Sequence, residues 1–147
     1  MEKKVKKSKK TLFVQDLGIF GDEMFVAVGL SYDEIVKGAK KLGAVKLFFE
    51  NIKDAKDNYW DERFGQDDGF VLIDNNNHAF LLWLKKYEDT WGFWEKVLHE
   101  VVHIVQALER SKLIQKEDEC RAYTTEYVFH HLRRKLMGIE KSESINF

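Results

Sequence analysis

The chain opens on lysines and then alternates between short apolar runs and turn-forming residues. Thr11 to Gln15 and Met24 to Gly29 are apolar, β-branched and aromatic, with Gly18, Gly21 and Asp22 between them. They predict two strands joined by a loop. Ser31 with Glu34 three positions on forms a capping box, so a short amphipathic helix is expected through Lys41. Ile35, Ala39 and Leu42 are its expected inward positions, and Gly43 sits where a left-handed residue ends a helix. Val45 to Ile52 predicts a third strand, and the polar stretch from Asn51 to Gln66 a long loop. Gly69 to Ile73 and Ala79 to Leu84 are two strongly apolar runs around Asp74-Asn75-Asn76-Asn77. Asp and Asn tolerate positive φ, so the pair reads as a hairpin with His78 solvated near its tip.

The period then lengthens to that of a helix. From Trp91 to Arg110, with Thr90 as cap, Trp94, Val97, Val101, Ile104, Val105 and Leu108 fall on one side. Ser111 to Gln115 predicts a turn. Lys116 to Met137 predicts a second long helix, acidic in its first turn and basic in its last, as the helix dipole favours. Gly138 ends it. Trp83, Trp91 and Trp94 read as core. The expected fold class is α+β: a small mixed or antiparallel sheet with the two long helices packed against it.

Size and charge narrow what this domain does. At 147 residues one domain is expected, and proline is absent. Residues 1–10 hold six Lys and one Glu, contributing +5 to a net charge of −1, so the remainder carries −6. We read 1–10 as a disordered basic arm, 11–138 as the domain and 139–147 as a polar tail. An acidic body is a poor match for nucleic acid or membrane. The single cysteine, Cys120, precludes an internal disulfide and fits a reducing, cytoplasmic setting.

The chemistry concentrates in Leu98-His99-Glu100-Val101-Val102-His103. Residues four apart stand one turn above each other on a helix, so His99 and His103 can offer two imidazoles to one zinc ion. Glu100 is about 100° round the helix. It is poorly placed to ligate with both histidines, yet well placed to take a proton from a zinc-bound water. A solvated polar face with Lys96 and Gln106 is the competing reading, against which Leu98 and Val102 flank the histidines. A catalytic zinc site wants a third protein ligand. On the second helix Glu119, Ala122, Tyr123, Glu126 and His130 share one face, which an antiparallel fold-back would turn toward the histidines. Cys120 points about 100° away from Glu119 and reads as a core thiol.

His99-Glu100-x-x-His103 followed by Glu119-x-x-Ala122-Tyr123 resembles the gluzincin branch of zincin metallopeptidases. It is most similar to the small single-domain zincin-like proteins of phages and bacteria. The resemblance spans roughly residues 70–132. It implies zinc held by His99, His103 and Glu119, with Glu100 as general base in peptide-bond hydrolysis. It also implies a peptide or protein substrate added as a strand along the sheet edge beside the helix, for which Ala79 to Leu84 is the expected segment. Pure reflection about a turn near Leu113 instead sets Glu126 level with the histidines, so both carboxylates stay candidates. A zinc-binding structural or interaction module without turnover is the alternative function.

Overall fold

The computed structural model describes residues 10–17, 23–43, 68–74, 79–111 and 118–138. The side chains of Asp16, Asp74, Ser111 and of 118–120 lie outside that description. So do the expected strand Val45 to Ile52, the loop Asn51 to Gln66, His78, the turn Ser111 to Gln115 beyond its first residue, the basic arm before Lys10 and the tail 139–147.

The elements run β1 (Thr11–Asp16), β2 (Glu23–Val28), α1 (Tyr32–Lys41), β3 (Gly69–Asp74), β4 (Ala79–Leu84), α2 (Trp91–Ser111) and α3 (Asp118–Gly138). The four described strands form one mixed sheet in the order β1-β2-β4-β3. β1 and β2 are antiparallel, as are β3 and β4, so the expected hairpin pairing is present. β2 and β4 run parallel in the middle. A parallel pair cannot be closed by a tight turn, and here the chain between them carries α1 and β3.

The period-2 alternation along the central strands divides the core in two. Met24, Val26 and Val28 of β2, with Phe80, Leu82 and Leu84 of β4, point to one face. There they pack under Val97, Val101, Ile104 and Leu108 of α2 and Val128, Leu132 and Leu136 of α3. Phe25, Ala27, Leu81 and Trp83 point to the other face, with Ile35 and Ala39 of α1. Trp83 stacks on Phe70 at 5.1 Å and its indole N–H donates to the Leu30 carbonyl at 2.8 Å. All six residues of β4 are buried, as a strand covered on both faces and paired on both edges requires.

Local signals set the helix ends. The Ser31 hydroxyl accepts from the Glu34 N–H at 3.3 Å while the Glu34 carboxylate accepts from the Ser31 N–H at 3.1 Å, completing the capping box. Gly43 has φ +82°, the left-handed conformation that ends α1. Leu42, expected inward, is exposed instead, because the chain has already left the helical path there. Trp91, expected in the core, is 86% exposed at the first residue of α2. Among the described residues no helix is long and apolar enough to cross a membrane.

Candidate metal centre

The position of the histidines follows from what α2 buries. Thr90 caps the helix, its hydroxyl accepting from the Phe93 N–H at 3.2 Å. Val97, Val101, Ile104 and Leu108 are fully buried against the sheet. A helix pinned on that stripe must turn positions 99, 103, 106 and 110 outward along one flank. His99, His103, Gln106 and Arg110 are indeed exposed.

On that flank the two imidazoles converge. Their Nε2 atoms are 3.1 Å apart, with ring centroids 4.8 Å apart and the planes crossed at 77°. Two zinc–nitrogen bonds of about 2.0–2.1 Å at a tetrahedral angle separate the nitrogens by about 3.3 Å. The pair therefore fits the spacing of two ligands on one ion, an arrangement that would require each ring to carry its proton on Nδ1. Glu100 is 5% exposed, and its Oε1 lies 3.3 Å from the Lys96 ammonium one turn earlier. A nearly buried carboxylate needs such a partner.

His99, Glu100 and His103 form one wall of a cleft of about 500 Å³, together with Lys96, Gln106 and Arg110. Gly69, Phe70, Val71 and Ile73 of β3 form the other wall. This corrects the placement of the expected substrate strand. Ala79 to Leu84 is β4, hydrogen-bonded to β2 on one side and β3 on the other, and offers no edge. The strand beside α2 with its outer side unpaired among the described residues is β3.

The second helix is also turned differently from the simple fold-back. Arg121 donates to both carboxylate oxygens of Glu109 at 2.6 and 2.9 Å, and Val128, Leu132 and Leu136 are buried beneath α3. Ala122, Tyr123, Glu126 and His130 consequently face outward and are exposed. None of them lines the histidine cleft. Ala122 and Glu126 instead border a separate groove with Leu98 and Phe129, on the other flank of α2. Tyr127 and His131 pack on each other at 4.4 Å. Glu119 belongs to the first turn of α3, but its side chain and that of Cys120 lie outside the described residues. Among the described residues no three His, Cys, Asp or Glu side chains gather where they could hold a metal. Of the expected set, His99, Glu100 and His103 thus meet in one cleft, and Glu119 is not placed by a side-chain contact.

Lys96, Arg110 and the β3 wall of the cleft were not singled out from sequence as part of the site. Lys96 was legible, because a Lys four residues before a Glu on a helix is a standing ion-pair signal. Arg110 was legible as a further position on the His103 stripe, past Gln106 and two turns on. The β3 wall was hinted at by the all-apolar Ala79 to Leu84, whose composition suits an interior strand and leaves the edge to its hairpin partner. Comparison with known proteins gives no match: no family model, no curated protein and no solved structure matches the chain.

Proposed function

We propose that the chain is a small zinc-dependent peptidase of the zincin type, hydrolysing peptide bonds in the cleft between α2 and β3. The observation that carries this reading is the 3.1 Å approach of the His99 and His103 Nε2 atoms beside the nearly buried Glu100 carboxylate. His99 and His103 hold the ion, and the resemblance in Glu119-x-x-Ala122-Tyr123 assigns the third ligand to Glu119. When bound, zinc supplies a Lewis acid that polarises the scissile carbonyl and acidifies a water.

The remaining steps belong to the chain itself. Glu100 opens into the same cleft as the histidines and takes the proton of the attacking water. It then delivers that proton to the leaving nitrogen, so the carboxylate is regenerated and the C–N bond is replaced by C–O. Lys96, 3.3 Å away, positions the Glu100 carboxylate before it takes the proton and again once it has given it up. β3 supports binding: an extended peptide can pair with its outer edge and lie across the histidines.

Glu100→Gln separates base from ligand. The proposal expects zinc content to stay near wild type while hydrolysis of a mixed peptide library falls by a factor of about a hundred or more. Loss of zinc in that variant would make Glu100 a ligand. Full zinc binding with no hydrolysis by the wild type would leave the non-catalytic binding module as the function.

A further inference from the structure

The cleft carries a cation that neither the proposed zinc site nor any described carboxylate uses. Among the described residues its two fixed positive charges are Lys96 and Arg110. Lys96 is occupied by Glu100 at 3.3 Å. Arg110 is exposed and, among the described residues, makes no ion pair. The nearest carboxylate in sequence, Glu109, points to the other flank, where Arg121 grips both its oxygens. The Arg110 side chain therefore lines the cleft with no carboxylate partner among the described residues.

Its place along the cleft is fixed by helical geometry. Arg110 follows His103 by seven residues, two turns on the same stripe, or about 10.5 Å along the axis. An extended peptide advances about 3.3 Å per residue, so about three to four residues of peptide cover that distance. A planar guanidinium in that position is matched by a carboxylate, which it can bind through two parallel hydrogen bonds. The rest of the body is acidic, so this local positive charge is also the point to which an anionic segment would be drawn.

We infer that the cleft selects peptides bearing a carboxylate about three to four residues from the bond over the histidine pair, with Arg110 as the residue that reads it. The inference rests on the reading of the cleft as a peptide site, though not on zinc or on turnover. An acidic side chain and a free C-terminus present the same group, and experiment separates them.

The test is fluorescence anisotropy with the full chain in chelator, using dye-labelled, end-capped eight-residue peptides that differ at one position, Glu or Gln. A third peptide is neutral along its length but ends in a free carboxylate. The wild type should bind the Glu peptide or the free-carboxylate peptide about tenfold more tightly than the Gln peptide; which of the two is preferred names the source. Arg110→Gln should erase that ratio, while Lys37→Glu, a charge change on an exposed site of α1, should leave it intact. An equal ratio in wild type and Arg110→Gln, or no binding of any carboxylate peptide, overturns the inference. Zinc binding and cleavage without an Arg110-dependent preference would sink this inference and spare the peptidase. A preference that persists in a protein unable to bind zinc would do the reverse.

Discussion

Arg121 holds Glu109 through two N–H···O bonds of 2.6 and 2.9 Å, and this clamp joins α3 to α2 nearly two turns beyond His103. Glu109 is mostly buried and Arg121 about half exposed. The pairing decides which face of α3 turns inward: with Arg121 directed at α2, the positions 100–200° further round, including Ala122, Tyr123 and Glu126, must look outward.

The clamp should be measurable by a double-mutant cycle. Glu109→Ala and Arg121→Ala are each expected to lower stability in chemical denaturation. Their coupling energy should be about 0.5–1.5 kcal/mol, since the pair is bidentate but partly solvated. A coupling near zero would mean that burial of Val128, Leu132 and Leu136 alone orients α3.

The capping box predicts a pH dependence with a definite sign. Partial burial works against a charged Glu34, but hydrogen bonds from Ser31 and the Lys10 ammonium outweigh it and hold the carboxyl below its ordinary value of 4.5. A depressed folded-state pKa contributes stability above the unfolded value, and that contribution is lost as pH falls through the folded value. The melting temperature of wild type should therefore exceed that of Glu34→Gln at neutral pH, and the gap should close as pH drops below about 4.5. A gap that stays constant with pH would assign the effect to helix propensity instead of charge.

The two acidic candidates on α3 now differ in context. Glu126 borders the Leu98 groove and is absent from the histidine cleft. Glu126→Ala should leave zinc affinity within about twofold of wild type, whereas Glu119→Ala should weaken it by about a hundredfold or more, as loss of a direct ligand does. Isothermal titration with zinc ranks the two. The reverse order would move the third ligand one helical stretch along α3 and require that Arg121 release Glu109.

How far the sequence foretold this arrangement depends on how local each determinant is. The capping box at Ser31, the Gly43 terminator and the apolar stripe from Val97 to Leu108 are encoded within a few residues, and each element forms where its pattern lies. His99, Glu100 and His103 share a cleft because one helix carries all three and its buried stripe fixes their direction. What sequence left open is set by contacts between distant segments. The parallel pairing of β2 with β4 makes β3 an edge among the described residues, and nothing within Glu23 to Val28 states that this strand flanks β4. The rotation of α3 is chosen by Arg121 and the Val128 stripe, whereas the face from Ala122 to His130 was read by reflecting one helix onto the other. Reflection fixes level along the axes and says nothing about rotation around them.

The central claim is that His99 and His103 hold one zinc ion, and direct metal analysis with competitive zinc titration tests it most plainly. Protein purified without chelator should carry about one zinc per chain. His99→Ala and His103→Ala should each lose it and melt at a lower temperature than the loaded wild type, because binding is linked to folding. A wild type that carries no zinc and takes up none when titrated would contradict the account.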